Sequence, residues 1–165
     1  MNWLIHDMDT ESAAAISNWR YTAPYDFYNM DSDNTAELMN GSYFTVRDDT
    51  LSLIGFFCVG ASAQVPAGHE KGAYSEDAYS VDAFVDIGLG LRPDWTGKGF
   101  GFEFISSVLD QVEKRFEGKR QRLTVAIFNS RAIRLYEKLG FEDYKQFWNG
   151  EREFMVMKRR WEESV

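Results

Sequence analysis

Residues 85–104, VDIGLGLRPDWTGKGFGFEF, place a short apolar strand directly before a glycine-rich turn and a helix, and no other stretch of the chain restricts the fold so far. Val85, Ile87, Leu89 and Leu91 alternate at the period of a strand. Arg92-Pro93 ends it, and Thr96-Gly97-Lys98-Gly99-Phe100-Gly101 makes the turn. The first turn of a helix carries N–H groups with no internal acceptor, and the helix dipole is positive there. Glycines let an anion come close to those groups. The stretch therefore reads as a pyrophosphate site built mostly from main chain.

The elements around it follow from caps, breakers and periodicity. Trp3-Leu4-Ile5 reads as a first strand. Asp9 or Thr10 caps a helix to about Trp19, and Arg20 to Met30 is an aromatic, ordered loop. Asp31 or Ser32 opens a second helix that Gly41 closes. Strands Tyr43–Arg47 and Leu51–Ser62 meet at the turn Asp48-Asp49-Thr50. Residues 64–80 are polar and small, the pattern of a mobile loop. The glycine-motif strand spans about 83–91, and its helix runs from Gly99 to Phe116 on a stripe of Phe102, Ile105, Leu109, Val112 and Phe116. A strand Arg122–Phe128 comes next, then a helix Ser130–Leu139 capped by Asn129 and stopped at Gly140. Phe141–Trp148 and Glu151–Met157 flank Asn149-Gly150, a hairpin signal. The order is β-α-α-β-β-β-α-β-α-β-β. That is a mixed α/β (α+β) fold with a mostly antiparallel sheet and one central, near-parallel β-α-β unit.

Composition narrows the function. At 165 residues the chain reads as a single domain, 1–165, and its 44% hydrophobic and 16% aromatic content exclude a disordered chain. No apolar run is long enough to span a bilayer, so no membrane partner is expected. The start MNWLIHDMDT lacks a basic region before an apolar one, so no secretory signal is expected. A single cysteine, Cys58, sits among apolar neighbours as a buried thiol, and a reducing, cytoplasmic location fits. His6 and His69 are far apart in sequence and read as surface or structural residues; no metal-ligand spacing appears, so no metal is expected. The formal net charge of −8 disfavours nucleic acid as a partner and mildly favours a cationic substrate, although solubility explains acidity equally well.

Three classes of phosphate ligand use such a turn. A nucleoside-triphosphate loop requires Ser or Thr after the lysine, and Lys98 precedes Gly99. A dinucleotide fingerprint requires a small residue where Phe102 stands. What remains is a G-x-G-x-G turn after strand and proline. With Thr96-Gly97-Lys98-Gly99-Phe100-Gly101 the chain resembles the GNAT-type N-acetyltransferases, whose acetyl-CoA loop reads Gln/Arg-x-x-Gly-x-Gly/Ala; Thr96 departs at the first position. Asn129-Ser-Arg-Ala-Ile-Arg-Leu-Tyr136-Glu-Lys-Leu-Gly140-Phe141 resembles the family's N-x-x-A-x-x-x-Y-x-K-x-G-F segment. Together the two segments cover about 83–142.

The resemblance implies transfer of an acetyl group from acetyl-CoA to a primary amine by direct attack in a ternary complex. The pyrophosphate would lie on the main chain of Gly97 to Phe102, with Thr96, Lys98 and Phe100 in the same turn. The pantetheine arm would pair with Leu89, Gly90 and Leu91, and Asn129 would reach it besides capping its helix. Tyr136 matches the general acid that protonates the departing thiolate, or else it packs at the edge of its helix stripe. Asp86 is the expected base: parity puts it on one strand face with Gly88 and Gly90, where two glycines would leave backbone open, or else mark a bulge or close strand packing. A carboxylate paired with arginine is the competing reading, and Asp82 and Glu142 are rival bases. In this family the segment between the first two helices lines the acceptor pocket, which here names Trp19, Tyr21, Tyr25, Asp26 and Tyr28, with Gln64 to Glu76 as an opposite wall or lid. The acceptor is a small-molecule amine or a protein amine. Oligomeric state stays open, dimers being common among proteins that resemble this one. The competing function is a noncatalytic acyl-CoA-binding module.

Overall fold

The computed structural model describes residues 3–33, 35–74 and 84–160. Seven strands are ordered β1-β2-β3-β4-β5-β7-β6 in one sheet. They are β1 (Leu4–Asp7), β2 (Tyr43–Arg47), β3 (Leu53–Val59), β4 (Phe84–Leu91), β5 (Arg120–Ala126), β6 (Phe141–Trp148) and β7 (Glu153–Arg159). The helices are α1 (Thr10–Ser17), α2 (Thr35–Leu38), α3 (Ala67–Glu70), α4 (Gly101–Arg115) and α5 (Ser130–Lys138). Pairs β1–β2, β2–β3, β5–β7 and β6–β7 are antiparallel, while β4 and β5 run parallel. This is the mixed, mostly antiparallel sheet expected, with its parallel crossover through α4.

By packing, the chain divides into two compact units. One takes in the chain to Cys58 together with Leu89–Val108; the other takes in Val59–Gly88 and the chain from Leu109. In the first, Ala13, Ile16, Leu38, Val46, Ile54, Phe57, Phe104 and Val108 are buried. In the second, Ile87, Leu109, Val112, Leu123, Phe141, Val156 and Met157 are buried. Burying side chains of this size contributes about 1.5–3 kcal/mol each, and Cys58 lies buried as expected.

Several boundaries differ from expectation for local reasons. α1 starts as read, with the Asp9 carboxylate accepting from the Ser12 N–H (2.7 Å) and hydroxyl (2.9 Å), but it stops at Ser17. The second helix is a single turn, Thr35–Leu38, rather than the longer segment from Asp31 to Gly41. α4 begins at Gly101, not Gly99, because Gly97 (φ +71°) and Gly99 (φ +86°) hold left-handed backbone that no helix continues through. Its buried face is Phe104, Ile105, Val108, Leu109 and Val112; Phe102, expected in that stripe, is 46% exposed.

The hairpin at Asp48 needs a wider loop than three residues. The Asp48 carboxylate accepts from the Thr50 N–H (2.9 Å), the Thr50 hydroxyl (2.7 Å) and the Ser52 N–H (3.0 Å), so β3 starts only at Leu53. The last hairpin is likewise wider. Asn149 pairs its N–H with the carbonyl of Arg152 (3.1 Å), and its side chain accepts from the Glu151 and Arg152 amides. That four-residue closure moves β7 two residues later than expected. β5 similarly runs from Arg120 rather than from Arg122.

The largest correction concerns the polar stretch expected as a mobile loop. Its described part, to residue 74, is ordered: a 3-10 turn at Gly60–Ala63 leads to α3. Tyr74 then anchors it, its hydroxyl accepting from the Val65 N–H (2.9 Å) and bonding the Thr124 hydroxyl (2.7 Å). A polar composition hid a segment fastened by one buried phenol. The remainder of that expectation, from residue 75 on, lies outside the described residues.

Candidate active site

In the first unit, the glycine turn is built on β4 and braced from below. The Arg92 N–H donates to the Ile54 carbonyl on β3 (2.7 Å), and its guanidinium bonds the Leu53 carbonyl (3.0 Å). The same guanidinium forks onto Asp94 (2.6 and 3.1 Å) and holds that carboxyl below its usual range. Pro93–Trp95 form a 3-10 turn, and the Thr96 hydroxyl donates to the Pro93 carbonyl (2.6 Å). Thr96 therefore stabilises the turn from inside. Trp95 packs on Phe100 (4.6 Å between ring centres) and against Trp3 (6.1 Å), and Trp3 meets Phe104 (6.3 Å). Aromatic packing thus fixes the turn at both ends.

Gly97, Lys98 and Gly99 are exposed. A Cβ built on Gly99 would find no atom within 4 Å. The carbonyl of Phe100 accepts from the Phe104 N–H (2.9 Å), so the amides of Gly101 and Phe102 fall in the first turn of α4, where the helix itself supplies no acceptor. Open space at Gly99 and the positive end of a helix coincide at the position the glycines marked.

Leu89 and Leu91 continue β4, but Gly90 does not leave open backbone on its Cβ side. A methyl group there would lie 2.2 Å from the Phe56 ring. Gly90 is small so that Phe56 can pack against the strand, which corrects the expectation of an uncovered glycine face. Phe56 itself meets Trp19 (6.1 Å) and Tyr43 (6.1 Å). Of the aromatic loop, Tyr21 is half-buried and spends its hydroxyl on the Leu91 carbonyl (2.7 Å), and burial pushes its ionisation well above the usual range. Tyr25 through Tyr28 form a 3-10 turn in which Tyr25 is half-buried, Asp26 is exposed and Tyr28 is 38% exposed.

In the second unit, Asp86 is 4% exposed and bound bidentately by Arg122, with distances of 2.7 and 2.8 Å. Gln64 donates to the same carboxylate (2.9 Å). The Arg122 guanidinium lies between the rings of Phe84 (4.8 Å) and Tyr74 (5.4 Å). Asp86 thus sits in a bonded cluster that the sequence reading named only as its competing possibility. Arg122 and Thr124 were missed, and Gln64 and Tyr74 were named only as part of the stretch Gln64 to Glu76; the signal for Arg122 was an Asp and an Arg on the two strands of one crossover. Glu142 is exposed beside Arg160 (3.6 Å), and Asp82 lies outside the described residues.

Asn129 caps α5 as read, accepting from the Ala132 N–H (3.2 Å). Tyr136 is half-buried on that helix, its ring edge-on to Phe141 at 5.9 Å. Among the described residues no three His, Cys, Asp or Glu side chains are placed to hold a metal, and no helix is long and apolar enough to cross a membrane.

The fold is a mixed α/β domain whose crossover strand ends in an open glycine turn, and comparison with known proteins gives its family. A family model described as an acetyltransferase (GNAT) domain matches residues 5–142. The chain belongs to the GNAT acetyltransferase family. No curated protein matches it by sequence. Among solved structures it is similar to a chimera of the spermidine N-acetyltransferase SpeG from Vibrio cholerae and hSSAT, at 19% identity and TM-score 0.69, covering 95% of this chain and 94% of that one. A GNAT-family acetyltransferase from Bacillus anthracis is similar at 16% identity and TM-score 0.67, covering 94% and 93%. So is yncA from Salmonella typhimurium, solved with its cofactor acetyl-CoA, at 18% identity and TM-score 0.61, covering 99% and 96%.

Proposed function

We propose that the chain transfers an acetyl group from acetyl-CoA to a primary amine. The observation that carries this reading is the turn at Gly97–Gly101, where left-handed glycines, an open approach at Gly99 and the positive N-terminal end of α4 coincide. Family membership and the acetyl-CoA bound to yncA support the choice of ligand. The pyrophosphate takes the amides of residues 97–102, and the amide-bearing arm of the cofactor runs along Leu89–Leu91.

The reaction needs no outside oxidant or reductant. The amine nitrogen attacks the thioester carbonyl carbon and forms the C–N bond. The tetrahedral intermediate then collapses with cleavage of the C–S bond. Tyr136 supplies the proton to the departing thiolate, since a phenol and a thiol have pKa values within about two units of each other. For the amine's proton, the bonding of Asp86 favours water as the immediate acceptor, because Arg122 occupies both carboxylate oxygens and Gln64 one of them.

The acceptor in this reading is a cationic amine. Residues 1–58 hold nine Asp and Glu against two Arg, most of the chain's net charge of −8, so this N-terminal, non-motif part of the protein attracts cations. The spermidine acetyltransferase among the structural neighbours is consistent with that class.

The test is release of free CoA thiol from acetyl-CoA across a panel of polyamines, amino sugars, amino acids and basic peptides. Turnover confined to multiply charged amines is expected. Binding of acetyl-CoA without thiol release on any amine would instead mark a noncatalytic acyl-CoA-binding module, and absence of binding would overturn the reading altogether.

A further inference from the structure

β4 keeps its parallel register with β5 from Phe84↔Arg120 to Ile87↔Leu123 and then continues alone in that register to Leu91. The Arg92 N–H points to β3, where it meets the Ile54 carbonyl at 2.7 Å. In a trans peptide the preceding carbonyl points the opposite way, so the carbonyl of Leu91 faces away from β3. It is there that the Tyr21 hydroxyl donates its hydrogen bond, at 2.7 Å.

Tyr21 is also the residue that closes its own loop. Its N–H donates to the Asn29 side chain at 2.6 Å, and the Asn29 N–H returns to the Asp26 carbonyl at 3.0 Å. The ring lies near that of Tyr28, 6.4 Å between centres. Two residues upstream, Trp19 meets Phe56, whose ring fills the space over Gly90. The loop therefore reaches the last turn of β4 twice: through one hydroxyl at Leu91 and through one intervening ring at Gly90.

We propose that Tyr21 is a positioning residue whose hydroxyl couples the order of the loop Trp19–Asn29 to the docking of the cofactor's amide-bearing arm on Leu89–Leu91. The proposal rests on the acetyl-CoA reading above. A carbonyl oxygen has two lone pairs. Leu91 can hold the phenol and still accept an amide N–H from the arm, so the two ligands of one oxygen fix the same peptide plane. An arm that settles on this peptide steadies the loop through Tyr21, and a disordered loop loosens the peptide the arm must meet. The phenol is a linker here, not a proton donor to substrate.

Tyr21→Phe deletes one oxygen and keeps the ring. The expected result is acetyl-CoA bound up to about fivefold more weakly and an amine KM raised by a similar factor, the size of one neutral hydrogen bond, with kcat at saturation held. Tyr144→Phe, an equivalent change on the exposed face of β6, leaves all three unchanged. Hydrogen exchange reads the coupling directly. In the native protein acetyl-CoA slows amide exchange across residues 21–29, and in Tyr21→Phe it binds without slowing it. Retention of that response in Tyr21→Phe, or its absence in the native protein with acetyl-CoA bound, overturns the proposal. Should acetyl-CoA give no heat of binding at all, the acetyl-CoA reading and the coupling to its arm both fall. The pin alone is then judged without cofactor: faster exchange over 21–29 in Tyr21→Phe than in the native protein upholds it, and equal exchange refutes it.

Discussion

Asp86 and Arg122 stand opposite one another in the parallel β4–β5 register, and their side chains form a two-pronged ion pair at 2.7 and 2.8 Å with only 6% and 5% of each side chain exposed. Isolating either charge in such a place is expensive. Breaking a buried pair from one side costs about 3–5 kcal/mol, whereas replacing both partners with apolar residues is often close to neutral. Asp86→Asn is therefore expected to destabilise the fold by about 3 kcal/mol in urea, and the double change Asp86→Leu with Arg122→Leu to recover most of that. The same variant separates structure from catalysis. If the carboxylate only holds Arg122, the activity per folded molecule keeps the shape of its pH profile; a base would lose the acidic limb.

The glycine turn makes a prediction that charge alone decides. Gly99 has φ +86° and no atom within 4 Å of a built Cβ, so any side chain there meets backbone strain but no clash. Asn and Asp tolerate that conformation about equally and have nearly the same shape. Gly99→Asn is expected to bind acetyl-CoA somewhat weakly. Gly99→Asp, with a carboxylate where the proposed site puts a phosphate, should bind at least about a hundredfold more weakly than Gly99→Asn, given like charges a few ångströms apart near a protein surface. Calorimetry on both variants measures the difference. Equal affinities would move the pyrophosphate away from this turn.

Alkaline pH should act through the phenols of Tyr21 and Tyr43. Burial is the main reason that Tyr21 and Tyr43 resist ionisation, and for Tyr43 the neighbouring Cys58 and Glu37 add to it. The unfolded chain releases these protons near the ordinary tyrosine value of about 10, while the folded chain keeps them. Above that pH the folded state binds more protons than the unfolded one, so stability falls as pH rises. Below it, these two groups contribute no slope. Melting temperature is expected to be flat with respect to them up to about pH 10 and to drop beyond, with a gentler drop in Tyr21→Phe and Tyr43→Phe. Absorbance at the phenolate band should rise in step with unfolding rather than before it.

How much of this was legible in the sequence depended on whether the cause was local. The turn Gly97–Gly101, the Asp9 and Asn129 caps and the parallel crossover were all written in neighbouring residues, and they stand where they were read. What failed were features decided by distant partners. Gly90 looked like open backbone because nothing nearby in the chain announced Phe56. Residues 64–74 looked mobile because composition carries no sign that Tyr74 would find Thr124. Phe102 matched the helical period, yet the apolar face of α4 is set by Phe104 and Val108, one step round the helix. For Tyr21 the aromatic ring was legible in the sequence, while the bond of its hydroxyl to a main-chain carbonyl seventy residues away was not.

Tyr136 and Asn129 sit at opposite ends of the same helix and should fail in different ways. Asn129 caps α5 through the Ala132 N–H, so Asn129→Ala is expected to cost about 1 kcal/mol of stability, a loss visible in denaturation before it is visible in rate. Tyr136 touches Phe141 through its ring, and Tyr136→Phe preserves that contact. Its affinity for acetyl-CoA should be unchanged. Turnover is expected to fall by about a hundredfold or more, the usual effect of removing a general acid. The remaining activity should rise when acetyl-CoA is replaced by an acetyl thioester with a more acidic thiol, because such a leaving group needs no proton. A Tyr136→Phe enzyme that works at the native rate, or whose deficit is the same for both thioesters, would leave the phenol with packing alone.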